Sequence, residues 1–292
     1  MRYLYLHGFA SGPTSEKAAF LRERFAEQNL TLETPNLAPG DFSKLTLTNK
    51  LNELAKTLAT PPTLEGSAPA LPRPAKNESS PTASPNNPRP QDANNESAPP
   101  TAASGCSVTL QKPEASPYDD RPHGANAGSP PPTAASGCNV TLLGSSLGGY
   151  VATLYAHQHP DHIHQLILLA PAFGFPTRWL ESEPPEAIAA WQKTGSHTVY
   201  HHGLQQDAQI GYQLVTDAQQ YPDYPTIPPT IPTLIIHGKN DETVPIESSH
   251  HFLRINTHAT LVELDADHRL TQSNTLRSIW QLVADALDPG VA

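Results

Sequence analysis

The chain has 292 residues and a formal net charge of −10 at pH 7, which argues against a nucleic acid or an anionic membrane as partner, because phosphate binding needs clustered lysine and arginine. No stretch approaches the roughly 18 consecutive apolar residues of a membrane-spanning helix. The apolar run within residues 1–8 is too short for a signal peptide, so we expect a cytoplasmic protein with reduced thiols and no membrane partner.

The first sixty residues alternate between strand and helix patterns. RYLYLHG is an apolar run that ends at a glycine, which is typical of a buried strand. Ala18, Leu21 and Phe25 recur at helical spacing and indicate the first helix. The predicted elements are a strand over 2–8, a helix over 14–29, a strand over 30–37 and a helix over 43–59.

Residues 61–138 differ from the rest of the chain in composition. They hold more than half of the 32 prolines and very few large apolar residues. Such a segment buries too little apolar surface to offset its conformational entropy, so we predict a disordered, low-complexity insert. The chain is therefore interpreted as one domain, residues 1–292, that carries a long insert.

A repeat lies within and just beyond this insert. PPTAASGCSVTL at 99–110 returns as PPTAASGCNVTL at 131–142, and a tandem duplication explains it better than a solenoid does, because solenoids need at least three units. Cys106 and Cys138 are then copies of one residue and give no disulfide framework or metal motif.

The stretch VTLLGSSLGGYVATLYAHQHP, residues 140–160, reads as a strand, a sharp turn and a helix. This is the context of a nucleophile elbow, G-x-S-x-G. Ser146 has glycine two positions before and two after it, Gly144 and Gly148, whereas Ser145 has leucines there. We predict that Ser146 is the nucleophile. The bare motif also fits a strand-to-helix turn without chemistry.

The rest of the chain continues this alternation of strands and helices, with one exception. Residues 172–232 are rich in proline and aromatic residues. We predict that they form an irregular lid or cap with helices near 185–193 and 212–220. The other predicted elements are strands over 165–172, 233–241 and 259–265 and helices over 247–255 and 273–287. Six strands interleaved with helices predict an α/β fold with a doubly wound, mainly parallel sheet.

In such sheets the chemistry lies at the carboxyl ends of the strands. Ser146, Asp241 and His268 each follow a predicted strand, in the Ser…Asp…His chain order of α/β-hydrolases. A serine nucleophile needs a histidine base, and the histidine needs a carboxylate to fix its tautomer. Asp217 competes for the role of the acid. The histidines that compete with His268 are His250, His251 and His258.

The sequence resembles the α/β-hydrolase superfamily, and specifically the small bacterial YqiA-like esterases. YLYLHGFASGPTSEKA, LLGSSLGGYVATLYA, LIIHGKNDETVP and DADHRL carry this resemblance, which covers residues 1–60 and 139–288. It implies the α/β-hydrolase fold without its first two strands. The insert departs from the family pattern.

The resemblance assigns roles to individual residues. Ser146 would attack an acyl carbon, His268 would move the proton, and Asp241 would orient His268. Backbone N–H groups of Phe9 and Leu147 would form the oxyanion hole. His7 is interpreted as a structural, hydrogen-bonded histidine rather than as a second base.

Two further clusters have both a functional and a plain interpretation. Aromatic residues of the lid region either line an acyl pocket or pack the lid: Phe173, Phe175, Trp179 and Trp191. Four histidines lie close together without acidic ligands spaced among them, so we interpret them as a solvated connection rather than a metal site: His157, His159, His162 and His164. We expect no metal and no cofactor.

The predicted function is a serine hydrolase that cleaves small-molecule carboxylic esters or thioesters through an acyl-enzyme, as a monomer or small homo-oligomer. One alternative is a cofactor-free perhydrolase that uses the same triad with peroxide. Another is a non-catalytic interaction protein whose proline-rich arm binds a partner.

Overall fold

Short apolar runs form the strands of a mainly parallel sheet in the computed structural model, which describes residues 1–38, 40–60 and 140–287. The eight strands within these residues are β1 (Arg2–Leu6), β2 (Leu32–Glu33), β3 (Val140–Ser145), β4 (Ile163–Leu169), β5 (Ser196–His201), β6 (Gln206–Gly211), β7 (Thr233–Gly238) and β8 (Thr260–Leu264). The order across the main sheet is β2-β1-β3-β4-β7-β8, and every neighbouring pair is parallel. The prediction of a parallel sheet of about six strands is confirmed.

Helices cover both faces of this sheet. They are α1 (Glu16–Glu27), α2 (Leu47–Ala59), α3 (Leu147–Gln158), α4 (Thr177–Ser182), α5 (Pro185–Thr194), α6 (Gln213–Ala218), α7 (Glu247–Ile255) and α8 (Ser273–Ala286). Successive strand residues point to opposite faces, so Tyr3 and Tyr5 pack with α1 and α8, while Leu4 and Leu6 pack with α2 and α3. Both faces of the strands are buried, which explains why these strands read as continuous apolar runs.

The parallel arrangement gives the sheet two chemically different edges. The register pairs Arg2 with Val140 at the amino edge and Leu6 with Gly144 at the carboxyl edge. The loops that follow β1, β3, β7 and β8 therefore meet at the carboxyl edge, where doubly wound sheets place their ligands.

Residues 172–232 between β4 and β7, which the sequence predicts to be an irregular lid or cap, are more ordered than expected. The two expected helices are present as α5 and α6, but α4 and an antiparallel hairpin of β5 and β6 were not predicted. Both hairpin strands are polar, and most of their residues are exposed or half-buried. They therefore lack the apolar alternation that signals a half-buried strand in a sequence.

The predicted insert, residues 61–138, lies outside the described residues. The part of the chain that the structure describes belongs to one compact unit. In that part, none of the helices has the length and apolar character needed to span a bilayer.

Candidate active site

Ser146 lies in the sharp turn between β3 and α3, with φ 53° and ψ −122°. A positive φ is strained for a residue that has a Cβ, so surrounding structure must hold it. The Ser146 N–H donates to the Leu169 carbonyl at 2.9 Å, and the Ser146 carbonyl accepts from the Ala172 N–H at 3.0 Å. The end of the neighbouring strand β4 thus holds the turn in this conformation.

Glycines on either side of Ser146 allow β1, β3 and α3 to approach closely. A Cβ added to Gly144 would lie 2.6 Å from the Gly148 carbonyl oxygen, closer than real Cβ contacts. A Cβ added to Gly148 would meet the carbonyl oxygens of Leu6 and His7 at the end of β1. The G-x-S-x-G spacing is therefore a packing requirement at this crossing of strand and helix.

The adjacent serine has different surroundings. Ser145 is the last residue of β3, and its side chain is buried beside the phenol of Tyr5. Ser146 instead lies one residue further on, at the carboxyl edge, where its hydroxyl contacts His268. The structure thus separates the two serines in the way that the glycine spacing predicts.

Three side chains from three loops form one hydrogen-bonded path. Ser146 Oγ lies 3.1 Å from His268 Nε2, and His268 Nδ1 lies 2.7 Å from Asp241 Oδ2. Asp241 follows β7 and His268 follows β8. With a carboxylate at Nδ1, the imidazole carries its proton there and presents Nε2 as an acceptor to the serine hydroxyl.

Asp241 is fully committed as a hydrogen-bond acceptor. Its Oδ1 accepts from the backbone N–H groups of Thr243 and Val244 at 2.9 and 2.7 Å, while its Oδ2 contacts His268 and His237. Burial alone would raise the pKa of this carboxyl, but the bonds from His237 and His268 outweigh burial and hold the pKa of Asp241 well below its usual range. Asp241 is therefore a carboxylate at neutral pH.

His237 is a site residue that the sequence analysis missed. It is fully buried at the end of β7, and its Nε2 lies 3.1 Å from Asp241 Oδ2 and 2.8 Å from the Val244 carbonyl. Two acceptors at Nε2 require a proton there, so Nδ1 accepts from the Ser249 hydroxyl at 2.7 Å. The histidine four residues before the acid, in HGKND, was the available signal.

Two backbone N–H groups beside Ser146 have no acceptor among the described residues: those of Phe9 and Leu147. Leu147 is the first residue of α3, where the N–H has no partner within the helix. Phe9 is adjacent to Gly8, and a Cβ added to Gly8 would lie 3.2 Å from Ser146 Cβ. Leu147 thus follows the serine directly, and Phe9 follows the glycine that packs against it; that their N–H groups form an oxyanion hole stays a prediction.

His7 lies in the same loop but does not contact the triad. Its Nδ1 is 3.1 Å from the Gly8 carbonyl oxygen, and its buried Nε2 has no partner in the described part of the chain. Burial and the nearby charge of Lys50 lower the pKa of His7 to about 4, so the ring is neutral at pH 7. These contacts fit the structural role predicted for His7.

The competing acid lies elsewhere. Asp217 accepts from the Thr48 N–H at 3.0 Å and from the Thr48 hydroxyl at 2.5 Å, at the first turn of α2. It makes no contact with His268. Asp217 therefore stabilises the amino end of α2, where a negative charge is favourable.

The competing histidines are also engaged away from Ser146. His250 contacts Glu263 at 2.9 Å, His251 stacks on Tyr224, and His258 Nε2 is buried without a hydrogen bond. In the histidine cluster at the end of α3, His157 Nδ1 contacts the Thr226 carbonyl and His159 stacks on His162. No group of three or more His, Cys, Asp or Glu among the described residues is arranged to hold a metal ion.

Three of the four predicted pocket aromatics form a connected set that reaches Phe9, in the loop after β1. Phe175 stacks on Trp179 at 5.5 Å between ring centroids, and Trp179 contacts Trp191 at 5.1 Å. Trp179 also lies 5.5 Å from Phe9. Phe173 is separate, because it stacks on Phe252 of α7 at 4.2 Å and is fully buried in the core.

Sequence comparison gives one match that spans most of the chain. The profile of an uncharacterised protein family, UPF0227, matches residues 2–68 and 133–284. Two curated proteins match only short segments. A probable 1-acylglycerol-3-phosphate O-acyltransferase from Oryza sativa subsp. japonica is 65% identical over 34 residues, which are 12% of this chain and 8% of that protein. The human (lyso)-N-acylphosphatidylethanolamine lipase is 46% identical over 52 residues, 18% of this chain and 15% of that protein.

Solved structures with a similar fold are α/β-hydrolases. Alpha/beta hydrolase domain-containing protein 10 from mouse superposes with a TM-score of 0.61 at 14% identity, covering 98% of this chain and 89% of that one. A putative hydrolase from Agrobacterium vitis S4 superposes with a TM-score of 0.63 at 14% identity, covering 98% of this chain and 88% of that one. Est1E from Butyrivibrio proteoclasticus, solved with ferulic acid, superposes with a TM-score of 0.59 at 16% identity, covering 98% of this chain and 87% of that one. The fold is that of the α/β-hydrolases.

Proposed function

This chain belongs to the uncharacterised protein family UPF0227, and we propose that it is a serine hydrolase that cleaves carboxylic esters or thioesters through an acyl-enzyme. One observation carries the proposal, namely the unbroken path from Ser146 Oγ through His268 to Asp241, with contacts of 3.1 and 2.7 Å. Nucleophile, base and orienting acid within hydrogen-bond reach are the requirements of nucleophilic acyl transfer.

The acylation step follows from this geometry. Ser146 Oγ forms a bond to the acyl carbon while its proton passes to His268 Nε2. The tetrahedral oxyanion accepts hydrogen bonds from the N–H groups of Phe9 and Leu147. When the bond to the leaving oxygen or sulfur breaks, His268 returns the proton to the leaving group, and the acyl group stays on Ser146.

Deacylation reverses the roles with water as the nucleophile. His268 takes a proton from the water, the new C–O bond forms, and the bond to Ser146 Oγ breaks as Oγ regains its proton. Asp241 stabilises the imidazolium in both steps, because its carboxylate stays ionised and accepts from His268 Nδ1. The acid product then leaves.

The names of similar proteins support an ester substrate. Est1E is named in its complex with ferulic acid, and the human relative is named as a lipase of (lyso)-N-acylphosphatidylethanolamine. The connected aromatics Phe175, Trp179 and Trp191 favour a substrate with an apolar acyl or aromatic portion. The cytoplasmic location and the monomeric or small homo-oligomeric state stay predictions from the sequence.

A fluorophosphonate probe followed by peptide mapping tests the proposal. We expect a single label on Ser146, loss of the label in Ser146→Ala, and turnover of a panel of 4-nitrophenyl esters and acyl-CoAs. Peracid formation from acetate and hydrogen peroxide in place of ester turnover would favour the perhydrolase alternative. Absence of any label on a folded protein would favour the interaction protein.

A further inference from the structure

Lys50 is a buried lysine in the first turn of α2, and its side chain is only 1% exposed. It shares the inward face of the helix with Leu47, Leu51 and Leu54, all of which are buried in the core. Lysines at such positions usually extend their ammonium group to solvent. Lys50 does not.

The ammonium group of Lys50 lacks a compensating charge. Within the described residues its Nζ makes no hydrogen bond and no ion pair. The amino end of a helix carries a partial positive charge, which makes a cation there still less favourable. Burial lowers the pKa of Lys50 to about 8, so it remains mostly protonated at pH 7. A cation that is almost completely removed from water and has no protein partner is costly.

A second unpaired polar atom lies close to this group. His7 Nε2 is buried without a partner, and burial together with the charge of Lys50 lowers the pKa of His7 and of His201. Because His7 Nδ1 contacts the Gly8 carbonyl, Nε2 is the acceptor end of a neutral ring. The acceptor Nε2 of His7 and the ammonium donor of Lys50 are thus both without a hydrogen-bond partner among the described residues.

His7 adjoins the proposed oxyanion loop. His7 precedes Gly8, which packs against Ser146, and Phe9 follows it. The tip of the hairpin covers the same loop, since the Gly203 N–H donates to the Ala10 carbonyl at 3.2 Å. The ring of His201, at the end of β5, lies 4.7 Å from that of Phe42, which in turn contacts Phe9. The leucines beside Lys50 on α2 belong to the same core cluster as Leu6, which precedes His7, and Leu147, which follows Ser146.

We propose that Lys50 binds an anionic group, a carboxylate or a phosphate, carried by the ester substrate. The anion accepts from the Lys50 ammonium group, and a ligand hydroxyl or an accompanying water donates to His7 Nε2. This inference rests on the proposed hydrolase function and narrows its substrates to charged esters. In the unliganded protein Lys50 is held unpaired so that the charge is compensated only when the substrate binds.

Matched pairs of esters test the proposal kinetically. The carboxylate pair is mono-4-nitrophenyl adipate against 4-nitrophenyl hexanoate. The phosphate pair is 1-butyrylglycerol 3-phosphate against 1-butyrylglycerol. We expect the wild type to favour the anionic member of one pair in kcat/KM, and Lys50→Met to reduce that preference about tenfold or more, mainly through KM. The pair that responds identifies the anion.

Two variants control this experiment. Lys56→Met removes an exposed lysine of the same helix, which pairs with Glu53 at 2.7 Å, and should leave the preference unchanged. Lys50→Arg keeps the charge and should retain part of the preference. A wild type that favours neither anionic ester, or a Lys50→Met variant that keeps the preference, would overturn the proposal.

A binding measurement separates this inference from the hydrolase proposal. In the Ser146→Ala background, adipate or glycerol 3-phosphate should raise the melting temperature, and the added Lys50→Met change should abolish that shift. Lys50→Met should itself raise the melting temperature of the free protein, because it removes a buried unpaired charge. If Ser146 is not labelled but the ligand shift depends on Lys50, the hydrolase proposal fails and the anion site stands. If the shift is absent or survives Lys50→Met, the anion site fails.

Discussion

His237 and His268 both contact the same carboxylate oxygen of Asp241, at 3.1 and 2.7 Å. His237 is fully buried and is itself held by Ser249 and by the Val244 carbonyl, so it cannot move away from the carboxylate. The acid that orients the proposed base is thus fixed from its other side by a second imidazole. We therefore expect His237 to affect the proposed reaction only through Asp241.

Replacing His237 by Leu tests this positioning role. The change removes a hydrogen bond to a charged group, worth about 1.5–3 kcal/mol, so kcat should fall by about tenfold to a hundredfold with little change in KM. Steady-state kinetics on 4-nitrophenyl acetate measures the effect. His250→Leu, at a half-exposed position on α7, is the control and should leave kcat within about twofold. An equal loss in both variants would mean that only stability has changed.

The two adjacent serines should differ sharply in function. Ser145→Ala should keep most esterase activity, because the Ser145 side chain is buried beside Tyr5 and points away from His268. Ser146→Ala should lose turnover and phosphonate labelling together. Label recovered on Ser145 by mass spectrometry would require another nucleophile.

The backbone strain at Ser146 gives a further expectation for the same turn. Ser146→Gly removes a Cβ from a residue held at φ 53°. The inactive glycine variant should therefore melt at a higher temperature than Ser146→Ala, in a scanning calorimeter. Equal melting temperatures would show that the turn costs no strain.

Substitutions of the two candidate acids, Asp241 and Asp217, should change different properties of the protein. Asp241→Asn should lower kcat by about 10³-fold or more, on the scale seen when a triad member is lost. Asp217→Asn should leave kcat nearly unchanged but lower the melting temperature, because it weakens the cap on α2 by about 1 kcal/mol. Greater loss of kcat in Asp217→Asn would reassign the acid.

Trp179 should determine the preference for acyl-chain length. It joins Phe175 to Phe9, so Trp179→Ala opens apolar surface beside the oxyanion loop. We expect kcat/KM for 4-nitrophenyl octanoate to fall about tenfold, and that for the acetate by less than about threefold. Trp280→Ala on α8, on the opposite face of the sheet, is the matched control and should change both esters equally.

Much of this architecture could be predicted because buried parallel strands give strong apolar signals. The strand segments Val140 to Leu143 and Leu166 to Leu169 do not alternate between apolar and polar residues. The residue types that follow the strands identify the carboxyl edge of the sheet. The hairpin could not be predicted, because its strands SHTVYH and QDAQIG pair with each other over an exposed surface. Their pairing depends on tertiary contacts that no local pattern encodes.

Single buried polar residues were equally invisible. Lys50 fits an ordinary amphipathic helix, in which a lysine next to Leu51 normally lies at the boundary with solvent. His237 reads as the end of a strand: its spacing to Asp241 is visible in HGKND, but the contact with Ser249 of α7 depends on the fold. Such roles arise from three-dimensional packing between distant segments rather than from spacing along the chain.

The positions of Thr60 and Val140 bear on how this protein can be altered. Both lie at the amino edge of the sheet: the Thr60 carbonyl accepts from Arg2, and Val140 is in register with Arg2. The six residues of β3 then place Ser146 roughly 20 Å away, at about 3.3 Å per residue. Replacing residues 64–134 by a short Gly/Ser linker should leave kcat within a few-fold in the ester assay, and loss of activity in a folded variant would contradict this.

Because the amino edge of the sheet lies far from Ser146, we expect this edge to tolerate changes in the length of the chain. We expect that chain can be gained, lost or exchanged between Thr60 and Val140 without altering the elbow, since closure entropy rises by only about 0.6 kcal/mol for each doubling of loop length. The copied PPTAASGC segment lies in this part of the chain. A reporter or a recruiting module grafted between these two residues would remain tethered to the enzyme while its reactive edge stays open.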